Sequence, residues 1–538
     1  MDTQETSEPA LETADHSETP TESGYVQDLD FRSGVIAGQM PHHMAIVAAV
    51  QGYAPPAIDE FTYIDLCCGD GTTTNAIAAL YPQAEVIGID FNARHIDAAW
   101  GMAQACGIEN ARFIEADLTT LDPATLPAAE YIGINGAYSW LGEEGEAAVN
   151  TLLAQCLKPG GLFYVEYTSL PGKVSVQPLW GLIQSLTPKR EGETSRDRAK
   201  RGLALTEALA KRGMTYLAAH RPAGNGARSY IQGAKQDEYR IDHFAHNAMA
   251  DGFRPKYFTE MADAMEAAGL GFAGRTELAL NEIEFSVPPA QVPTFQDYRG
   301  DGRTTELLKD YIRNEQQRRD VFVKSAEPDR EAADAWLDTH LRLHARMPAN
   351  AVKRAITTMG NHTIPLRGPA FEGLINAAGD GVAELPAITE ATNLAPERIR
   401  RAALRLLATN QFFACRDALQ PAAAEAESIT LPGAVNRTLL ERADERLVGC
   451  QLISPVTGGP ALPLSPTEVV LIKAVLDAGS FDEAPERAVE RLADEKRPLQ
   501  GPRGRKSARD LTAEECREIL EAFRGRKLIN MQRIGIAG

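Results

Sequence analysis

Between residues 61 and 167, short apolar runs alternate with helical stretches. The runs are Phe61-Thr-Tyr-Ile-Asp-Leu66, Glu85-Val-Ile-Gly-Ile-Asp90, Ala111-Arg-Phe-Ile-Glu-Ala-Asp117, Tyr131-Ile-Gly-Ile-Asn135 and Gly160-Gly-Leu-Phe-Tyr-Val-Glu-Tyr167. Helical spacing fills the intervals at 74–80, 96–105 and 144–156. Buried strands that alternate with helices predict βαβ units, a parallel sheet and helices on both faces, an α/β fold. Ahead of them Met40, Met44, Ile46, Val47 and Val50 recur at helical spacing, and Pro55-Pro56 ends that stretch.

The rhythm changes after residue 180. Leu203, Leu205, Leu209 and Leu217 predict an amphipathic helix, and residues 257–268 another. Pro288, Pro289 and Pro293 mark a boundary, and 306–324 reads as a charged helix. A short helix in 385–394, a longer one at 396–407 and apolar Phe412-Phe413 outline a winged helix. The expected division is a tail at 1–22, an α/β domain at 23–180, a helical domain at 181–290, a helical middle region at 291–375 and a winged-helix-like domain at 376–538.

Composition narrows the classes. The 538 residues carry 55 Lys and Arg against 74 Asp and Glu, a net charge of −19, which argues against a dedicated nucleic-acid binder. The segment 1–22 has seven acidic residues, no Lys or Arg and almost no bulky apolar residue, so it is expected to be disordered. No apolar run reaches the length of a membrane span and no Sec-type leader is visible. Seven cysteines without a CxxC pair fit reduced thiols rather than a disulfide frame or zinc site. A cytoplasmic protein is expected, with no membrane insertion.

The chemistry concentrates in Tyr63-Ile-Asp-Leu-Cys-Cys-Gly-Asp-Gly71, where a strand closes on an acidic residue and glycines turn the chain into a helix. Thr74 stands where a dinucleotide fingerprint would place its third glycine. The next strand ends at Asp90, suited to ribose hydroxyls, and the third at Asp117, suited to an adenine edge. An acid within the glycine turn suits an ammonium better than a pyrophosphate. Three acids closing three successive strands describe a ligand with a cationic amino-acid part, a ribose and an adenine: S-adenosylmethionine. Asp65, Cys67, Gly69, Gly71, Asp90, Phe91, Asp117, Leu118 and Asn135 are the cofactor candidates. Tyr138, Trp140 and Tyr167 follow strands four and five and are the candidates for walling an acceptor pocket, since aromatic faces stabilise a cationic amine. Tyr25 is a candidate cover over the cofactor. His243 and His246 read as structural contacts, and no spacing suggests a metal.

The glycine turn resembles that of class I S-adenosylmethionine-dependent methyltransferases, with glycine usual where Cys67 stands. Ile132-Gly-Ile-Asn-Gly-Ala-Tyr-Ser-Trp140, Leu157-Lys-Pro-Gly-Gly161 and Tyr164-Val-Glu-Tyr-Thr-Ser-Leu-Pro-Gly172 resemble methyltransferases with an appended regulatory domain, a family that includes rickettsial-type protein-lysine methyltransferases. Asp242-His-Phe-Ala-His246, Pro255-Lys-Tyr-Phe258 and Ser454-Pro-Val-Thr-Gly458 are similar to its later stretches. The resemblance implies a Rossmann-like seven-stranded sheet, a regulatory domain at 181–290 and a protein-lysine acceptor. Two other readings stand beside it: a small-molecule methyltransferase whose extra domains form a lid and dimer surface, and a cofactor-sensing regulator that reads DNA through Arg398, Arg400, Arg401 and Arg405. The sequence leaves the oligomeric state open, a homodimer included.

Overall fold

The computed structural model describes residues 25–29, 34–235, 238–423 and 426–538; the expected disordered tail at 1–22 lies outside them. One seven-stranded sheet organises the described residues up to Lys324. Its strands are β1 (Thr62–Leu66), β2 (Glu85–Asp90), β3 (Ala111–Glu115), β4 (Ala129–Ile134), β5 (Leu157–Thr168), β6 (Leu270–Arg275) and β7 (Gln317–Lys324), in the order β3-β2-β1-β4-β5-β7-β6. Neighbours from β3 to β5 run parallel, and β7 lies antiparallel between β5 and β6. This is the Rossmann-like seven-stranded sheet that the resemblance implies.

Alternation along the strands sorts their side chains into two cores. Tyr63, Val86, Phe113, Tyr131, Leu162, Tyr164, Val321 and Val323 belong to one apolar cluster. It takes in helices α1 (Pro41–Val50), α2 (Thr72–Leu80) and α3 (Ala93–Cys106). Ile64, Ile87, Ile132, Phe163, Val165, Tyr167 and Phe322 belong to the other, with α4 (Gly142–Cys156). The first cluster continues into residues 429–537, so the C-terminal region shares a core with the sheet. A hairpin of Cys450–Ser454 and Gly459–Leu464 helps fix this contact, the Tyr81 hydroxyl donating to the Gly458 carbonyl at 2.8 Å.

Between β5 and β6 the chain leaves the sheet as helices α5 (Val176–Leu186), α6 (Ser195–Lys211), α7 (Thr215–Ala219), α8 (Arg221–Ala234), α9 (Tyr239–Ala248) and α10 (Phe258–Ala267). Helices α5 to α9 have a core of their own, to which Val26 and Leu29 contribute.

The structure corrects three expectations. Residues 306–324 are not one helix: Gly302–Arg313 is helical, and Gln317–Lys324 is β7. The strand is disguised because its charges are paired: Arg318 bonds Asp320 at 2.8 Å, and Arg319 bonds Glu166 of β5 at 2.9 Å. The boundary expected at 180 therefore cuts through the sheet, and 181–290 is not purely helical, since it contains β6. In the third case Leu385–Thr392, Pro396–Leu407 and Phe412–Cys415 follow the expected helix-turn-helix-strand order, but among the described residues Phe412–Cys415 is not the first strand of a wing hairpin. Phe412–Cys415 instead pairs with Arg342–Ala345, from upstream of the expected boundary at 376, which also pairs with Ala383–Glu384. Two of the arginines on which the alternative DNA-reading role would rest are held internally: Arg400 bonds Asp334 and Asp338 at 2.9 and 2.6 Å, and Arg405 bonds Glu282 and Glu284, both at 2.9 Å.

Candidate active site

The carboxyl ends of β1 to β4 open into a cavity of about 520 Å³. Asp65, Cys67, Gly69, Asp90, Phe91, Asp117, Leu118, Asn135 and Trp140 line it, as does Tyr25. Three other candidates lie outside its wall. Gly71 packs behind the turn, where a Cβ would run into Ala99 of α3 and Phe113; its φ of +66° starts α2, so its glycine serves the backbone. Tyr138 is fully buried in the core beneath α4, its hydroxyl unpartnered among the described residues. Tyr167 is buried on the far face of β5 and donates to Asp320 Oδ2 at 2.9 Å. It belongs to a closed ionic cluster, not to an acceptor wall.

Asp65 is held from two sides. Its Oδ1 accepts from Gln39 Nε2 at 2.8 Å and its Oδ2 from Thr74 Oγ1 at 2.7 Å. In the sheet it lies opposite Gly88 and Gly133. A Cβ on Gly133 would come within 2.8 Å of Gln39 Nε2, so the missing side chain makes the Gln39 contact possible. Burial pushes the Asp65 carboxyl up to about 6; the two hydrogen bonds pull it down and the Asp90 charge adds to the rise. A buried carboxylate in this state gains most from an arriving cation. Gln39, absent from the sequence candidates, sits in the turn just before α1; its one detectable signal was a lone polar residue ahead of an apolar run.

Asp90 ties the glycine turn to β2. Oδ2 accepts from the Gly69 N–H at 2.9 Å, and Oδ1 from the Asn92 N–H at 3.0 Å, with the His95 ring at 3.2 Å. Three of roughly four lone-pair sites are thus in use, and only one ligand hydroxyl can bond Asp90 without displacing His95. Asp117 lies two residues beyond β3. Its Oδ1 accepts from the Thr119 N–H and hydroxyl at 2.9 and 2.7 Å, while Oδ2 has no hydrogen bond among the described residues.

Cys67 has φ +55°, a left-handed conformation that costs a side-chain-bearing residue on the order of 1–2 kcal/mol. The position therefore favours glycine. Burial, then the charges of Asp90, Asp65 and Asp117, push its thiol well above the usual range, so it is a neutral wall group and not a nucleophile.

The remaining wall joins the sheet to the helical insert. The Trp140 Nε1–H donates to the Asn247 carbonyl at 3.2 Å, and its ring packs 5.3 Å from Phe253. Tyr25 lies edge-on to Phe91 at 5.8 Å and 5.7 Å from the His246 ring of α9. Burial first, then Asp90 and Cys67, raise its hydroxyl above the usual tyrosine range. Burial lowers His246 to about 4, so this imidazole is neutral at pH 7. The segment 25–29 is stapled at both sides: the Asn92 side chain donates to the Gln27 carbonyl at 3.2 Å, and the Ser195 N–H donates to Asp28 at 2.8 Å. Glu144 adds an exposed carboxylate beside Trp140, and the Tyr164 hydroxyl fixes Asn135 Oδ1 at 2.8 Å.

The wall therefore carries four acids, Asp65, Asp90, Asp117 and Glu144, and no Lys or Arg among the described residues. Such a site favours cationic and hydroxylic ligands and disfavours phosphates. Among the described residues, no group of three or more His, Cys, Asp or Glu is placed to hold a metal ion, and no helix is long and apolar enough to cross a membrane.

Comparison with known proteins agrees with this architecture. A family model described as a methyltransferase domain matches residues 59–197, and one described as a predicted methyltransferase regulatory domain matches 242–324. PKMT2 from Rickettsia typhi, solved in complex with AdoHcy, superposes with a TM-score of 0.67 at 15% identity, covering 94% of this chain and 100% of that one. An uncharacterized protein of Synechocystis is 27% identical over 302 residues, 56% of this chain and 58% of that relative. The chain thus matches little more than half the length of that relative. A trans-aconitate 2-methyltransferase of Paracidovorax citrulli is 30% identical over 103 residues, 19% of this chain and 37% of that enzyme. The chain has the class I methyltransferase fold with a regulatory domain, and the latter is no separate appendage: its matched residues include β6 and β7, which complete the sheet.

Proposed function

We propose that this chain is an S-adenosylmethionine-dependent methyltransferase that transfers a methyl group to lysine amines of a protein. The observation that carries the reading is the acid-lined cavity, free of Lys and Arg among the described residues, at the carboxyl ends of β1 to β4. Asp65 would meet the ammonium of the cofactor, Asp90 a ribose hydroxyl, and Asp117 Oδ2 the adenine amine, with Phe91 and Leu118 against the base. When bound, the cofactor supplies an electrophilic sulfonium methyl; the chain's residues position the acceptor and exclude water. A lysine of pKa near 10.4 is neutral in roughly 1 of 2,500 molecules at pH 7, a handicap of roughly 4.6 kcal/mol. Seating the amine beside a sulfonium and away from water disfavours its protonated form, while the Trp140 ring and Glu144 at the rim draw the charged side chain in.

The partial likeness to a trans-aconitate methyltransferase supports a second reading, transfer to a small polycarboxylate. The charge of the cavity opposes it, since a tricarboxylate would face four acids with no arginine among the described residues to receive it. Full-length protein incubated with methyl-labelled cofactor and lysate separated into proteins, nucleic acids and small molecules tests the choice. Label on lysine in the protein fraction supports the proposal; label confined to small acids replaces it with the second reading.

A further inference from the structure

The glycine turn has two faces, and each borders a cavity. Gly69 and Thr73 line the acid-walled site. Asp70 and Thr72, between them in sequence, line a second cavity of about 660 Å³ on the other side of the turn. The opposite wall of this second cavity is the helix Ala434–Arg446 from the C-terminal region, which presents Arg442 and Arg446. Arg497 joins them, giving three guanidinium groups against two carboxylates, Asp70 and Glu445. The sign of the wall is reversed.

The three arginines are not equally committed. Arg497 is held by Glu495 at 2.8 Å and by the Arg446 carbonyl at 2.7 Å. Among the described residues Arg442 Nη1 makes only loose contacts, 3.5 Å to Asp70 Oδ2 and 3.3 Å to Thr72 Oγ1. Arg446 makes no ion pair among the described residues; its guanidinium lies 4.8 Å from the centre of the Tyr239 ring. A guanidinium oriented on an aromatic face, with a second one nearby, is the recurrent means of receiving a phosphate or carboxylate.

We propose that this cavity is a regulatory site for a small phosphate- or carboxylate-bearing anion, and that its occupation weakens cofactor binding through Arg442 and the Asp70–Thr72 turn. An anion that bonds Arg442 draws it from Asp70, a carboxylate buried to 6% exposure whose other oxygen caps Thr72 at the start of α2. The same turn carries Gly69, which Asp90 anchors, so the disturbance reaches the first cavity within one residue. Coupling of this kind is reciprocal, and cofactor binding should weaken the anion equally. The coupling rests on the cofactor reading above; the anion site itself does not.

Pyrophosphate and citrate serve as probes, titrated calorimetrically into the full-length chain, with sodium chloride matching ionic strength. At least one should bind saturably, and the one that binds identifies phosphate or carboxylate as the preferred group. Arg446→Gln should weaken that probe tenfold or more and leave AdoHcy affinity without probe unchanged, whereas Arg446→Lys should retain part of the binding. Saturating probe should raise the Kd of AdoHcy threefold or more in the parent chain and leave it unmoved in Arg446→Gln. The site is overturned if neither probe binds beyond the salt control or if Arg446→Gln binds it as well as the parent. The coupling is overturned if AdoHcy affinity ignores saturating probe. Failure of AdoHcy to bind at all would instead strike the cofactor reading, leaving the probe titration to decide the anion site.

Discussion

The two halves of the sheet put the same residue types to opposite uses. On the β3-β2-β1-β4 side, Asp65, Asp90 and Asp117 face a cavity and are held by an amide side chain, hydroxyls, backbone N–H groups and an imidazole, with no Lys or Arg among the described residues. On the β5-β7-β6 side, Asp320, Asp310 and Glu306 are buried, and Arg318 bonds all three, at 2.8, 2.8 and 3.0 Å. Arg275 and Lys309 join this cluster, and the Arg318 guanidinium lies over the Phe258 ring at 4.3 Å. Burial pushes the Asp310 carboxyl up to about 7, against the pull of Arg318 and Arg275. A buried carboxylate that already owns an arginine is part of the frame; one without a Lys or Arg partner among the described residues still has its charge to offer a ligand.

Removing Arg318 should give the largest effect. Arg318→Ala strips three buried carboxylates of the guanidinium they share and should cost about 3–5 kcal/mol of stability, read by chemical denaturation, with AdoHcy affinity of the folded fraction unchanged. A comparable loss of affinity would join the two halves into one site. Asp90→Ala should show the reverse. It removes the ribose acceptor and the anchor of Gly69, and should weaken AdoHcy by about 1.5–3 kcal/mol, tenfold or more. Unchanged calorimetric affinity in a folded variant would sink the assignment.

The Asp65 carboxyl gives the comparison a pH signature. Its pKa is about 6 in the structure and about 3.9 unfolded. Below pH 6 it is protonated and offers no charge to an ammonium, so AdoHcy binding should weaken up to tenfold per unit as pH falls from 6 toward 5. In the same window the folded chain holds the extra proton, so this group adds stability as pH falls through 6 toward 4. Affinity and stability should thus move in opposite directions, and Asp65→Asn should flatten both. Parallel changes would place the controlling group elsewhere.

Tyr167→Phe should lose about 1 kcal/mol of stability, from its bond to Asp320, and keep the methyl-transfer rate. Cys67→Gly is the smallest case. Relief of the left-handed strain, less the greater entropy of glycine when unfolded, should stabilise the chain by about 0.5–1 kcal/mol with little change in affinity.

The same contrast explains what was legible in the sequence. Strands β1, β2 and β4 are buried on both faces and read as continuous apolar runs, so both they and Asp65 and Asp90 at or near the ends of β1 and β2 stood out. β6 has two glycines in six residues, and half of β7 is charged, in Gln317-Arg-Arg-Asp-Val-Phe-Val-Lys324. Their burial depends on ion pairs with partners as far as 153 residues away, such as Arg319 with Glu166, and local patterning carries no record of these. Tyr167 was misplaced because proximity in sequence to the strand end does not reveal which face it takes. Tyr164, three residues earlier and so on the opposite face, is the tyrosine whose hydroxyl reaches the cavity residue Asn135. Gln39, His95 and Glu144 come from turns and helices that no strand-end pattern selects.

Photolabelling the full-length chain with methyl-tritiated S-adenosylmethionine, followed by peptide mapping, tests the division between the two halves most directly. Label should fall in peptides that contain residues 65–73, 90–95, 117–119 or 135–145, and excess AdoHcy should suppress it. Suppressible label concentrated in residues 306–320, within the arginine-held cluster, would contradict the account.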